Sequence, residues 1–390
     1  MKQLHSAADL AIHGAPPAFE QTLAVGRPLI GDFNRFSEIA AGVFDSGMLA
    51  NNGPVVDELE RRIAEHHGVD NCVAVSSGTA GLQLALRVLG IHGDVIMPSF
   101  TFPATAQAAL WLGMQPVFVD IELADHSIDP SALLDALTED TAAILGVNLW
   151  GRMGQHRLLS DMAAEAGVPI LFDAAHAFGC TDADGNGPGS VGLCSVLSFH
   201  ATKVFNTFEG GAVLTNDKAL AADLKQARNF GLQDRDTVSS VGTNAKLTEV
   251  AAAMGLVNLE SIGDFIETNH ANHDLYRAFL DEIPGVTVMP PPDQQDWNAH
   301  YVVIEVDRDA PTPRDDLMEI LEAENVIARR YFWPGCHRSE MFAQSSSHAA
   351  SELPNTDHAL ATTLLLPNGP QLGEQTVETI ARVISLAMAA

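Results

Sequence analysis

Residues 72–89 read CVAVSSGTAGLQLALRVL. The first five, 72–76, are small, apolar or β-branched and read as a buried strand. Residues 82–89 carry the leucine spacing of a helix. Ser76, Ser77, Gly78 and Thr79 form the turn between them. A strand that passes through a small-residue turn into a helix is half of a βαβ unit. Outward from this unit the pattern repeats. Strands are expected at 95–98, 117–121, 143–148, 169–173, 196–200 and 211–215. Helical stretches lie at 104–112, 130–137 and 156–166, and Asp217 stands where it would cap a helix reaching Arg228. The alternation predicts an α/β fold, with a large, mostly parallel sheet covered by helices on both faces.

The texture changes after about residue 260. A helix at 262–280 precedes Pro284, Gly285 and the cluster Pro290, Pro291 and Pro292. A strand at 300–306, a helix at 314–324 and a closing helix at 374–388 follow. With 390 residues the chain exceeds one minimal domain. The expected organisation is an N-terminal segment 1–30, a large domain 31–265 and a smaller α+β domain 266–390. Residues 344–352, rich in Ser, Ala and His, read as a mobile loop.

Hydrophobic residues make up 46%, enough for a sizeable core, so global disorder is excluded. The net charge of −29 argues against nucleic acid and against an anionic membrane surface. Any anionic ligand must be held locally, by backbone amides, helix ends and a few cations. The four cysteines, Cys72, Cys180, Cys194 and Cys336, form no CxxC pair, so they read as buried free thiols, and no metal site is signalled. No secretory signal pattern and no run long enough to span a membrane is visible, and the chain reads as cytoplasmic.

Ligands of open α/β sheets sit at the carboxyl ends of the strands, so the residues there are the candidates. Ser76–Thr79 read either as an ordinary capping turn or as a phosphate cradle on a helix N-terminus, with Thr79 as a further donor. No Walker lysine and no GxGxxG spacing accompany it. Asp173 ends the run Ile170-Leu171-Phe172, where a carboxylate is costly unless a cation meets it; it reads as the partner of a protonated ring nitrogen or as a helix cap. His176 reads as a donor to a ligand oxygen or as a core histidine. Lys203 stands among few charges before Gly210-Gly211, where a desolvated amine can form an imine. Lys218 and Lys225 read as solvated. A phosphate cradle, a strand-end carboxylate and a semi-buried lysine together match what pyridoxal 5'-phosphate (PLP) requires.

The motifs SSGTAGLQLAL, MPSFTFPATAQA, PVFVDIE, FDAAHAFG, SFHATKVFNTFEGG and GTNAKLTEVAAAMGL, in this order, resemble the DegT/DnrJ/StrS family of sugar aminotransferases. The resemblance covers the chain from about Arg27 onward. It implies the fold-type I, aspartate-aminotransferase-like architecture and PLP cycling through pyridoxamine phosphate. It implies that Gly78, Thr79 and Ser198 hold the phosphate, Phe102 stacks on the ring, Asp173 pairs with the pyridine nitrogen and His176, where many members carry Gln, approaches the phenolic oxygen. Lys203 is implied as the imine-forming amine and proton carrier. Asn244 is expected to reach the phosphate site of a neighbouring subunit, which implies a homodimer with shared active sites.

Within the family, the Phe208-Glu209-Gly210-Gly211 variant, His200-Ala201-Thr202, Asn148-Leu149-Trp150-Gly151 and the segment 330–337 are similar to a subgroup acting on 4-keto-6-deoxy sugars attached to TDP. The expected reaction is transamination of that sugar nucleotide to a 4-amino-4,6-dideoxy sugar, with glutamate as amino donor, for a natural product or surface glycan. Asn51, Asn52, Trp150, Lys246, Tyr301, Arg330 and Tyr331 are candidates for the substrate, with Arg329 and His337 beside them. Glu209 reads as a buried structural carboxylate. The alternatives are a 3-ketosugar or keto-cyclitol aminotransferase, a related dehydratase (which the presence of Lys203 opposes) and a non-catalytic PLP-binding regulatory protein.

Overall fold

The computed structural model describes residues 4–343 and 352–389. The loop expected at 344–352 falls almost entirely outside the described residues. The strands are β1 (Leu23–Ala24), β2 (Asn71–Val75), β3 (Asp94–Pro98), β4 (Gln115–Val119), β5 (Thr141–Val147) and β6 (Ile170–Asp173). They continue with β7 (Cys194–Ser198), β8 (Gly211–Thr215), β9 (Val286–Val288), β10 (Val302–Val306), β11 (Val326–Ile327) and β12 (Thr363–Leu366). The seven-stranded sheet has the order β2-β8-β7-β6-β5-β3-β4. β8 runs antiparallel to both its neighbours, β2 and β7. The other pairings are parallel, so the carboxyl ends of all six strands other than β8 share one edge.

The strand interiors are buried nearly throughout, as a sheet sandwiched between helices requires. One face is covered by helices Gly78–Val88, Pro103–Trp111 and Lys218–Ala227. On the opposite face lie helices Pro54–His67 and Glu249–Leu280. The capping expectation for Asp217 holds: its carboxylate accepts from the amides of Ala219 and Leu220.

The smaller sheet places β10 between β12 and β9, all antiparallel, with helices Arg314–Ala323 and Glu374–Met388 in the same core. Leu4, Leu10, Ala18, Phe19 and Leu23 of the N-terminal segment are buried in that core too, and β1 pairs with β11. The helix Glu249–Leu280 begins 13 residues before its expected start at 262. Its residues Ala251, Leu256 and Phe265 pack beside the large sheet, while Tyr276 and Leu280 pack beside the small one. The expected boundary at 265/266 therefore lies inside a continuous helix, near this change of core.

Two buried carboxylates tie distant segments to this frame. Fully buried Glu249 accepts from the amides of Gly53, Val55 and Val56, and so caps helix Pro54–His67 from outside. Asp120, after β4, accepts from the amides of Asn355 and Thr356 and from the Thr356 hydroxyl, which pins helix Pro354–Thr362 to the large sheet. The four cysteines are free and buried. Among the described residues no helix is long and apolar enough to cross a membrane.

Replacing Glu249 with Ala strands three amides at a buried helix end. We expect Glu249→Ala to lower the unfolding free energy by about 3 kcal/mol in urea titrations; a loss near zero would show that water replaces the carboxylate.

Candidate active site

Past the ends of β2, β3, β5, β6 and β7 the shared edge opens into a cavity of about 180 Å³. Each strand delivers its next residues to it. After β2, Ser77 caps helix Gly78–Val88 by accepting from the Ala80 amide at 3.1 Å, as the turn reading expects. This cap leaves the first-turn amides of Gly78 and Thr79 without helical carbonyl partners, so the same turn remains suited to an anion. The close approach is explicit at Gly78, where a Cβ would lie 3.0 Å from the Ser198 Cβ. Gly211 is tighter still: a Cβ there would come within 2.7 Å of the Gly78 nitrogen. After β3, Phe102 presents a ring that is 59% exposed.

Asp173 ends β6 and is buried. Its Oδ2 accepts from the Thr105 hydroxyl at 2.7 Å and its Oδ1 from the Ala175 amide at 3.1 Å. Thr105 gives its own proton to the carboxylate, so Thr101, 2.8 Å away, donates to Thr105. Burial pushes the Asp173 carboxyl above its ordinary value, opposed by the Thr105 and Ala175 hydrogen bonds and by the charge of Lys203. A buried carboxylate with these donors favours a cation on its remaining face.

Lys203 lies in the irregular turn between β7 and β8, its amide bonded to the His200 carbonyl. Burial lowers its amine to about 8, with Asp173 pulling the other way. His176 is buried beside it; burial, then Lys203 and His300, hold its imidazole well below the usual range, so it is neutral near pH 7. Its Nδ1 has no hydrogen-bond partner among the described residues.

Gly78, Thr79, Phe102, Asp173, His176, Ser198 and Lys203 therefore line one cavity. Asn244 does not line it; it is exposed and bridges backbone to Asn229. The substrate candidates are scattered. Trp150 is fully buried, with its indole N–H on His126 Nδ1 and its ring stacked at 5.6 Å on Phe332. Tyr301 is buried 4.6 Å from the His176 ring. Lys246 donates to Asn229 and lies over Phe230. Arg330 pairs with Asp315 and covers Trp333, beside half-buried Tyr331. Asn51 and Asn52 occupy a left-handed loop before helix Pro54–His67, away from the lining. Arg329 bridges backbone to Leu365, and His337 bonds Ser99.

Glu209 corrects one expectation. Its side chain is 67% exposed and faces His200 at 3.5 Å, because the turn carries it to the cavity mouth, not into the core. Sequence reasoning missed Thr101, Thr105, His200 and Phe332 at this site. His200 was legible from its place three residues before Lys203. Thr105 was not, since only the sheet order brings its helix to the end of β6.

The DegT/DnrJ/EryC1/StrS aminotransferase family matches residues 33–385. The chain belongs to this family. The dTDP-4-amino-4,6-dideoxy-D-glucose transaminase of Shigella dysenteriae is 34% identical over 368 residues, covering 94% of this chain and 99% of that protein. The crystal structure of DesI in the presence of its TDP-sugar product superposes with a TM-score of 0.93 at 42% identity, covering 98% and 97% of the two chains. Helicobacter pylori PseC, an aminotransferase involved in the biosynthesis of pseudoaminic acid, superposes with a TM-score of 0.88 at 25% identity, covering 95% of this chain and all of that one. The chain is thus a fold-type I, PLP-dependent aminotransferase. The cavity fits that cofactor: backbone packed down at Gly78, a buried, hydrogen-bonded carboxylate at Asp173, an amine with its pKa lowered to about 8 at Lys203 and an unpartnered imidazole nitrogen at His176.

The lowered amine has a cost in the cofactor-free chain. The unfolded lysine binds its proton up to about pH 10.4; the folded one releases it near 8. Between these values the unfolded state binds more protons, so stability rises with pH, and the full cost is present below pH 8. Apo Lys203→Met should therefore be more stable than the wild type at pH 7, by about 3 kcal/mol. The difference should fade above about pH 10.4. Urea unfolding at the two pH values measures it; equal stability at pH 7 would contradict the buried amine.

Proposed function

We propose that the enzyme transfers an amine from glutamate to C4 of a TDP-linked 4-keto-6-deoxyglucose, giving the 4-amino-4,6-dideoxy sugar nucleotide. The observation that carries this reading is the 42% identity to DesI over nearly the whole of both chains, in a fold whose strand ends gather the amine, the carboxylate and the anion cradle.

Bound PLP supplies an electron sink for breaking the C–H bond beside the transferred nitrogen. In our reading the first-turn amides of Gly78 and Thr79, with the Ser198 hydroxyl, hold the phosphate. The Phe102 ring covers one face of the pyridine. Asp173, kept charged by Thr105 and Ala175, holds a proton on the ring nitrogen. The neutral His176 donates to the phenolic oxygen. Lys203 would hold the cofactor through its amine; once the amine of glutamate has displaced it, the freed Nζ would accept the proton from the Cα of glutamate and return it on the other side of the nitrogen. An amine near 8 leaves about one lysine in ten as free base at pH 7, enough for this proton transfer.

The site is shared between two copies of the chain in the cytoplasm, with Asn244 reaching the phosphate of the neighbouring subunit. Apolar surface supports this: Phe33, Phe44 and Phe208 are exposed, and Phe36 packs edge-on against Phe208 at 5.9 Å, close to the lysine turn. Asn51, Asn52, Lys246, Arg330 and Tyr331 are the proposed nucleotide and sugar contacts, with Trp150 and Tyr301 supporting them from behind His176. The product would serve a natural-product or surface-glycan pathway.

Incubation with PLP, glutamate and TDP-4-keto-6-deoxyglucose should release 2-oxoglutarate and yield a C4 amine by NMR. Release of 2-oxoglutarate without a C4 amine would keep the class and reject this sugar. Borohydride reduction and peptide mapping should place the pyridoxyl label on Lys203; a label elsewhere would reject the lysine assignment. Asn244→Asp should weaken PLP retention on dialysis by roughly tenfold or more, because it sets a carboxylate beside the phosphate; unchanged retention would argue against that contact.

A further inference from the structure

Lys203 and His176 stand on different loops, past the ends of the paired strands β7 and β6, and a link outside the sheet also joins those loops. His300, buried at the entry to β10, donates from Nε2–H to the carbonyl of Thr202 at 2.7 Å, the peptide that precedes Lys203. Two residues earlier, Asn298 is fully buried. Its Nδ2 donates to the carbonyls of His176 and Phe178 at 2.8 and 3.0 Å, and its Oδ1 accepts from the His300 amide at 3.1 Å. A continuous path of hydrogen bonds thus joins the two loops: His176 carbonyl, Asn298 side chain, His300 backbone and ring, Thr202 carbonyl.

The surroundings are built to keep this path in place. Ala299, between the two residues, is held at φ 48°, in the left-handed region, with its carbonyl bonded to Asn368 Nδ2 at 2.6 Å. An alanine persists there only where its environment over-determines the backbone. Gly151 has φ +78°, and a Cβ on it would fall 2.0 Å from Asn298 Oδ1, so the chain leaves Asn298 room that no other residue at 151 allows. The bond to Thr202 fixes the His300 tautomer with the proton on Nε2, while Nδ1 has no partner among the described residues.

The geometry points to Asn298 and His300 as positioning residues that set the separation of the Lys203 amine from the His176 imidazole. They act through backbone carbonyls and touch neither cofactor nor substrate. Lys203 has to reach two carbon atoms on either side of one nitrogen, so it tolerates little displacement. A misplacement of about 1 Å can cost on the order of 10²-fold in rate. The proposal rests on the roles given to Lys203 and His176 above, and the borohydride label at Lys203 tests that assignment separately.

The test compares His300→Leu, His300→Gln and Asn298→Asp. Two readouts avoid the ketosugar: the rate at which the apo chain captures PLP, and the single-turnover reaction of the holoenzyme with the amino donor that converts the wild type. His300→Leu should slow the single turnover on the order of 10²-fold without changing the half-saturating donor concentration. It should also slow PLP capture. His300→Gln, whose amide can donate to the same carbonyl, should restore most of both. Asn298→Asp keeps the acceptor for His300 but loses both donors to the His176 loop, and should slow both rates. Wild-type rates in folded His300→Leu, or no recovery in folded His300→Gln, would overturn the proposal. Should His300→Leu fail to fold, Asn298→Asp decides: slowed capture with unchanged donor saturation supports the brace, and wild-type capture overturns it.

Discussion

The structure depends on keeping a carboxylate and an amine together in a cavity that favours neither charge. Burial pushes Asp173 up and Lys203 down, and each partly reverses the other's shift. Left alone, such a pair is weak evidence for stability. Here the carboxylate has two hydrogen-bond donors and a face left over, and the amine is near enough to neutrality to act as a base. The site thus presents a fixed negative group for a ring nitrogen and a proton carrier beside it.

The fold makes this arrangement by convergence. Six strands end on one edge, and five of them contribute the residues just past their ends. The antiparallel β8 returns the chain from the lysine turn and packs against the cradle so tightly that Gly211 meets Gly78 backbone to backbone. Segments beside the smaller sheet meet the site from the other side: Phe332 lines the cavity, and Asn298 and His300 bond the loops that carry His176 and Lys203. For a chain of net charge −29, binding a phosphate and a nucleotide diphosphate relies on such local amides and hydroxyls, not on its overall field.

Much of this was legible in the sequence. All seven strands of the large sheet lie where short apolar runs placed them, within about two residues at each end, because strands buried on both faces read as continuous apolar stretches. Gly78, Asp173 and Lys203 were readable because each follows a strand and each breaks the local expectation for its position. The first half of helix Glu249–Leu280 was not, since residues 251–258 are buried on every side and show no amphipathic period. Helix Phe33–Ser46 was missed for the opposite reason: Val43 is its one buried residue, and Phe33 and Phe44 face outward. The donors to Asp173 and the bonds of Asn298 and His300 join residues far apart in the chain, so no local pattern announces them.

The central claim is that burial holds the Lys203 amine well below the ordinary lysine value before any cofactor arrives. Competitive labelling of the apo protein with trace acetic anhydride across pH, read at Lys203 by mass spectrometry, measures that amine directly. The account predicts a reactivity midpoint at about 8. A midpoint at the ordinary lysine value, about 10.4, would contradict it.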